Sequence, residues 1–153
     1  MLNQKTRSAK GSRVRALILL AVILVLFNIG LVYAGSKTAY TQWIVFSDHR
    51  LRARFTATCL LQSGGVSADL DCRNNAGVVI DVPNSDDTLT PYGWVIFYNL
   101  SGSMTQYVKY ELPSWSVLSP YAANTSRVLC RGSVYDAAVP GNITPTVRAE
   151  AFR

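Results

Sequence analysis

The segment HRLRARFTATCLLQ, residues 49–62, alternates cleanly between apolar and polar side chains. Its apolar positions are Leu51, Ala53, Phe55, Ala57, Cys59 and Leu61. The polar positions between them are Arg50, Arg52, Arg54, Thr56 and Thr58. A period of two residues is typical of a strand with one buried and one exposed face. The segment therefore predicts a β-strand that covers one side of a hydrophobic core.

Turn signals divide the rest of the chain into further short strands. SGG, residues 63–65, separates the first strand from VSADLDC, residues 66–72, which resumes the alternation. Likewise SGSM, residues 101–104, separates GWVIFYNL from QYVKYEL. Both arrangements are typical of β-hairpins. About eight such strands, with no convincing helix after residue 35, indicate a mainly β fold: an antiparallel β-sandwich of the Ig-like or jelly-roll-like kind.

The N-terminal 35 residues have the composition of a membrane-targeting segment. Residues 1–15 hold five Lys or Arg and no acid, and residues 16–35 form a run of twenty residues without formal charge. Twenty helical residues span roughly 30 Å, the thickness of the bilayer core. Basic residues beside such a run stay on the cytoplasmic side. We therefore expect a cytoplasmic head at 1–15, a transmembrane helix at 16–35 and an exported β domain at 36–153.

Two fates of the apolar run remain open. If the run is a retained anchor, Asn28, Gly30 and Ala34 would form a face that packs against another transmembrane helix. Small residues let a neighbouring helix approach closely, and a side-chain amide within the membrane favours a hydrogen-bond partner. Tyr40 and Trp43 follow the run, as aromatic residues do at a membrane interface. As a signal peptide, it would be cut before Gly35 and the β domain would be secreted. Its length and aromatic flank favour the anchor.

The basic pI of about 9.5 comes from the head and not from the β domain. From residue 36 onward, ten Lys or Arg face nine Asp or Glu, a net charge of +1. Nucleic-acid binding needs basic residues spread over a folded face. We therefore expect no nucleic-acid partner.

Three cysteines lie on inward positions of their strands. In an exported domain, a disulfide can persist, and Cys72–Cys130 is the favoured pair because it would close a long loop. Cys59–Cys130 and Cys59–Cys72 are alternatives, as are three buried free thiols. The immunoglobulin signature is missing, because Val128 stands where a Tyr would precede the second Cys and Trp94 is distant from Cys72.

The cationic face of the first strand is the sharpest surface feature. Arg50, Arg52 and Arg54 would form a stripe roughly 13 Å long at about 3.3 Å per residue. Because the stripe follows the anchor closely, anionic lipid headgroups or an acidic protein are the predicted contacts. The alternative is a solvated strand whose charges prevent aggregation.

Three sequons for N-glycosylation lie in the exported part, at Asn99, Asn124 and Asn142. Their use depends on the type of cell that makes the protein. The loop DVPNSDDT, residues 81–88, gathers Asp81, Asp86 and Asp87 without the spacing of a calcium site. We interpret this loop as a polar turn.

Catalytic and cofactor motifs are not apparent in the sequence. His49, beside Asp48, is the only histidine, and the chain has no nucleophile elbow, phosphate-binding loop or zinc-ligand spacing. Aromatic side chains are plentiful, and a β core with its rim accounts for them more simply than a nucleic-acid platform. The seven considered are Trp94, Phe97, Tyr98, Tyr107, Tyr110, Trp115 and Tyr121.

Taken together, the sequence predicts a non-enzymatic protein without a cofactor or metal. Its expected role is binding or assembly, as an accessory or structural subunit of a membrane complex or surface structure. Membrane lipid and a protein partner or second copy of the chain are the expected contacts. The alternative is a secreted, disulfide-stapled β domain that acts as a binding protein or inhibitor.

Overall fold

In a computed structural model, the residues that the structure describes are 35–153. They form a mainly antiparallel β fold with ten strands and two short 3-10 turns, at Asn84–Asp86 and Ala122–Asn124. The strands are β1 (Gly35–Tyr40), β2 (Ile44–Val45), β3 (His49–Cys59), β4 (Gly64–Asn74), β5 (Leu89–Asn99), β6 (Met104–Tyr110), β7 (Ser114–Leu118), β8 (Thr125–Asp136), β9 (Gly141–Asn142) and β10 (Val147–Phe152).

The predicted head, nearly all of the predicted transmembrane helix and its packing face lie outside the described residues. This applies to Asn28, Gly30 and Ala34. Within residues 35–153, no helix has the length and apolar character needed to cross a bilayer.

The strands form two five-stranded sheets. The first sheet has the order β1-β3-β4-β7, with β2 paired to β3, and the second has the order β10-β8-β5-β6, with β9 paired to β8. Both predicted hairpins are confirmed, as β3–β4 and β5–β6. The described residues form ten strands, against about eight predicted, and the two-residue β9 is too short to leave a pattern in the sequence.

The alternation that predicted β3 is confirmed as far as Cys59, where the strand ends, but Leu61, which was predicted to face inward, lies beyond the strand and is 47% exposed. Every odd-numbered position from His49 to Cys59 is buried, and every even-numbered position is exposed or half-buried. The inward side chains of both sheets belong to one hydrophobic cluster. The two sheets thus face each other across one core in a sandwich-like arrangement.

Two glycines let the sheets approach closely. A Cβ atom at Gly132 of β8 would lie 2.4 Å from ring atoms of Phe55 in β3. One at Gly93 of β5 would lie 2.3 Å from the ring of Trp115 in β7. Since real Cβ atoms do not make such contacts, each glycine leaves the space that a large aromatic ring of the other sheet occupies.

The predicted Cys72–Cys130 disulfide is not formed, and all three cysteines of residues 35–153 are free and buried. Cys59 lies at the end of β3, where its thiol reaches the carbonyl oxygen of Thr125 at 3.8 Å. Cys72 pairs with Leu51, near the opposite end of β3. Cys130 lies five positions beyond Thr125, about 16 Å along the strand. A disulfide needs Cα atoms within about 7 Å, and three cysteines at different levels of the core do not meet this requirement.

Candidate functional site

The outer face of the second sheet carries the main candidate site. In β5, alternation sends Leu89, Val95 and Phe97 into the core and Tyr92 and Trp94 outward. The neighbouring strands add further aromatic rings and cations on the same face. We call this surface the aromatic–arginine face: Tyr92, Trp94, Tyr98, Tyr110, Tyr135, Phe152, Arg127 and Arg131.

Three tyrosines from three adjacent strands form a cluster at one end of this face. The ring centroids of Tyr92 and Tyr110 are 6.4 Å apart, those of Tyr92 and Tyr135 are 5.9 Å apart, and those of Tyr110 and Tyr135 are 6.2 Å apart. Tyr110 is 60% exposed. The cluster therefore presents rigid ring surface and phenol groups to solvent without further rearrangement.

Two buried hydroxyl groups lie on the same face. Ser133 is the cross-strand neighbour of Tyr92, and Thr90 is the neighbour of Tyr135. Both side-chain oxygens are buried and have no hydrogen-bond partner among the described residues. Buried polar groups are nearly always hydrogen-bonded, so these two are an energetic weakness beneath the tyrosine cluster.

Arginines and aromatic rings alternate over the rest of the face. The guanidinium of Arg131 lies 5.4 Å from the ring centroid of Trp94, and that of Arg127 lies 4.7 Å from the ring centroid of Tyr98. Arg127 also forms an ion pair with Glu150. Glu150 additionally accepts a 2.5 Å hydrogen bond from Arg148. Three cations against one carboxylate leave this region with a net charge of +2.

The predicted arginine stripe lies on the outer face of the first sheet, but carboxylates neutralise much of it. Arg54 pairs with Asp69 at 2.8 Å and Arg52 pairs with Asp71 at 2.9 Å, in both cases across the β3–β4 ladder. The hydrogen bonds and charge of Asp69 raise the pKa of Arg54. For Asp71, burial acts to raise the pKa, but Arg73 and Arg52 outweigh it and leave the pKa lowered. Alternation in β4 supplies the acids, and the sequence of β3 alone does not indicate them.

Aromatic rings pack over the same arginines. The guanidinium of Arg52 lies over two rings, at 4.1 Å from the Tyr40 centroid and 4.2 Å from the Trp43 centroid. Arg50 lies 4.7 Å from the Trp43 centroid, and no carboxylate of residues 35–153 pairs with it. Arg50 is therefore the one member of the stripe whose charge is not balanced by an ion pair within the described chain.

A buried histidine links two distant parts of the chain. The two ring nitrogens of His49 lie 2.7 Å from Asp48 Oδ1 and 2.5 Å from Asp86 Oδ2. The ring of Phe46 stacks on the imidazole at 4.4 Å. Burial alone lowers the pKa of His49, but hydrogen bonds to Asp48 and Asp86 outweigh it and leave the pKa raised. The hydrogen bond to His49 is the main reason that the pKa of Asp48 is lowered.

This arrangement suits a structural link better than acid–base chemistry. A general base needs a free nitrogen within reach of a substrate proton. Both nitrogens of His49 face carboxylates, and the side chain is buried. Within residues 35–153, no group of three His, Cys, Asp or Glu side chains is placed to hold a metal ion.

One of the three acids in the loop of residues 81–88 is buried. Asp86 is buried and bonded to His49, whereas Asp81 and Asp87 are exposed. These two exposed acids line an open groove of about 540 Å³ with Asn84 and apolar neighbours. The spacing of the sequence could not indicate Asp86, because its partner lies 37 positions away.

The three sequons differ in their surroundings. The Asn99 side-chain oxygen accepts hydrogen bonds from the backbone of Ser101 and Ser103, which close the β5–β6 turn. Asn124 and Asn142 are exposed. In the folded domain, the latter two are the more accessible asparagines.

The seven aromatic residues considered in the sequence divide between the core and the outer face. Phe97 and Trp115 are buried in the core, and Tyr107 and Tyr121 pack against it. The remaining three, Trp94, Tyr98 and Tyr110, belong to the aromatic–arginine face. Their shared phase across the β5–β6 hairpin was the signal that could have identified this face.

Comparisons with protein-family models, curated proteins and solved structures find no match to this chain.

Proposed function

We propose that this chain is a membrane-anchored β-sandwich that acts in binding or assembly on the extracytoplasmic side, as an accessory subunit of a membrane complex or surface structure. The observation that carries the proposal is the aromatic–arginine face. Tyr, Trp and Arg are the residue types enriched among the energetic centres of protein interfaces. Here they are gathered on one sheet face of a small domain.

The charge of this face defines the partner more closely. With a net charge of +2, the surface favours a protein that presents carboxylates around an apolar centre. Arg131, which no carboxylate of the described chain pairs, is the proposed contact for an acidic group of the partner. Tyr110 is the proposed apolar contact because it is the most exposed ring of the tyrosine cluster.

The docking proposal can be tested by purifying the full chain from its own membrane in mild detergent. We expect Tyr110→Ser combined with Arg131→Glu to reduce recovery of the native complex on the order of tenfold, the ratio that about 1.4 kcal/mol produces. The matched control is Ser67→Ala with Ser116→Ala, two exposed neighbours on the first sheet. Equal recovery of the complex with both double variants would contradict the docking face.

The anchored topology is supported by the basic head and the twenty-residue uncharged run. A cysteine placed at exposed Ser116 should react with a membrane-impermeant maleimide in intact cells, whereas one at Ser8 should react only after permeabilisation. Intact mass supplies the second measurement. A chain retaining Met1 supports the anchor, while a chain beginning at Gly35 replaces it with the secreted alternative.

Only one of the three residues of the arginine stripe has a proposed role in lipid binding. We expect Arg50 to make the main contact with anionic headgroups, because Arg52 and Arg54 are already paired with acids. The full chain held in nanodiscs should bind anionic vesicles less at low salt after Arg50→Ser. Arg148→Ser on the second sheet is a control with the same loss of charge. Equal losses of vesicle binding in the two variants would show that binding depends on the net charge alone and not on the position of Arg50.

A further inference from the structure

Strand β6 is an unprotected sheet edge. It is the last strand of the second sheet, and among the described residues it pairs only with β5, without a register shift. Its seven residues, MTQYVKY, contain no proline and a single charge, Lys109. Natural proteins usually protect such edges with several charges, prolines, bulges or a covering segment. At the other end of the sheet, β10 carries three charges within or beside it and lies next to β1.

The hydrogen-bond pattern identifies which backbone groups of β6 face outward. Asn99 N donates to the oxygen of its opposite residue Ser103 at 3.0 Å. In an antiparallel ladder, bonded and non-bonded pairs alternate. The odd-numbered residues of β6 therefore bond to β5, and the backbone N–H and C=O groups of Met104, Gln106, Val108 and Tyr110 point toward the open edge.

Three of these four even-numbered residues carry exposed apolar side chains. Met104 is 55% exposed and Val108 is 52% exposed, and Tyr110 is more exposed than either. An added strand would therefore satisfy backbone groups and cover apolar side chains at the same time.

The sequence of β6 is complementary to itself about its central residue, Tyr107. In antiparallel pairing of two copies about this residue, Met104 of one copy faces Tyr110 of the other, a favourable contact between a thioether and a ring. Val108 faces Gln106 and Lys109 faces Thr105. No like charges meet, although like charges opposite each other would destabilise the pair.

We propose that a second copy of this chain adds to β6, by antiparallel pairing about a two-fold axis at Tyr107. The second sheets of the two copies, each with the order β10-β8-β5-β6, then join edge to edge into one continuous sheet. The two aromatic–arginine faces lie on the same side of that sheet. This arrangement is an isologous dimer, the commonest symmetry of soluble oligomers. It deepens the proposed role in assembly but does not require the anchor or the acidic partner.

A proline at Val108 tests the pairing selectively. Proline removes an N–H that faces the open edge and leaves the ladder with β5 intact. The full chain, purified alone in detergent, should be dimeric by light scattering or sedimentation, and Val108→Pro should weaken the dimer on the order of tenfold or more. Val108→Thr keeps the N–H and should retain the dimer. A monomeric wild-type chain, or an unchanged dimer in the folded proline variant, would overturn the proposal.

Two matched double variants test the register of pairing between the two β6 strands. They also serve in place of the proline variant if that variant does not fold. Met104→Glu with Tyr110→Lys and Met104→Lys with Tyr110→Lys lose the same native side chains. In the proposed register, the first pair places opposite charges across the two-fold axis and the second places like charges. The dimer should be weaker in the second variant, and equal strength would overturn the register. Because no other protein is present, failure here is separate from failure of the docking face or the topology.

Discussion

His49 and Asp86, 37 positions apart in the sequence, share a 2.5 Å hydrogen bond between two buried side chains. This contact fastens the 3-10 turn Asn84–Asp86 to the first residue of β3. The other ring nitrogen lies 2.7 Å from Asp48 Oδ1. An imidazole that is hydrogen-bonded to both acids therefore donates from both of its nitrogens. The protonated form of His49 therefore satisfies both acids at once.

Removing the acid from this link should destabilise the domain. Asp86→Ala leaves a buried nitrogen of His49 without a partner, and we expect a loss on the order of 1–3 kcal/mol in the free energy of unfolding. Urea denaturation of the full chain in detergent at mildly acidic pH measures it. Asp87→Ala is the control, since Asp87 is exposed and forms no ion pair among the described residues. Equal denaturation midpoints for the two variants would show that the link contributes nothing.

The same link predicts the direction of a pH dependence. The pKa of His49 is raised in the folded domain, so the folded state binds the proton more tightly than the unfolded chain. The contribution is complete below the unfolded pKa of about 6.5 and is lost as pH rises through the folded pKa. Thermal denaturation temperature should therefore fall as pH increases above about 6.5. His49→Gln should remove this slope, and a slope unchanged by the substitution would contradict the assignment.

The thiol state of the cysteines gives an independent prediction. Burial raises the pKa of the Cys130 thiol to about 12, and it also raises the pKa of Cys59 and Cys72. Buried protonated thiols react slowly. Three thiols should therefore titrate after denaturation and few before it, and a reductant should leave the denaturation temperature unchanged. A disulfide would be revealed by fewer titratable thiols and by a loss of about 2–5 kcal/mol on reduction.

The parts of this fold that were predictable from sequence depend on nearest neighbours along the chain. The period-two pattern of residues 49–59 determines which side of β3 is buried, because adjacent strand residues point to opposite faces. Both hairpins were predictable for the same reason. The candidate site was only partly predictable, because the pairing between strands determines which side chains lie next to each other. Asp71 neutralises Arg52 from β4, and the position of Asp86 depends on a turn that packs against the start of β3.

The cysteines show the limit of a prediction from strand phase. The alternation within each strand correctly predicts that all three cysteine side chains point inward. It does not indicate how far along the core each cysteine lies. Cys59 and Cys72 lie near opposite ends of the β3–β4 ladder. Only the register of the strands distinguishes a bridge from separate thiols.

Ser133 provides the last prediction, because its buried hydroxyl contributes no hydrogen bond. Ser133 is 1% exposed and its oxygen has no partner within residues 35–153. Replacing it with alanine removes an unsatisfied polar group, so Ser133→Ala should leave the free energy of unfolding unchanged or raise it by up to about 1 kcal/mol. Thr125→Val is the contrasting variant, because the buried Thr125 hydroxyl donates to Ser119 Oγ at 2.7 Å and lies 2.9 Å from the carbonyl oxygen of Ala122. It should cost on the order of 1–3 kcal/mol. Urea midpoints of both variants test the contrast, and an equal loss for Ser133→Ala would mean that its hydroxyl is hydrogen-bonded in solution.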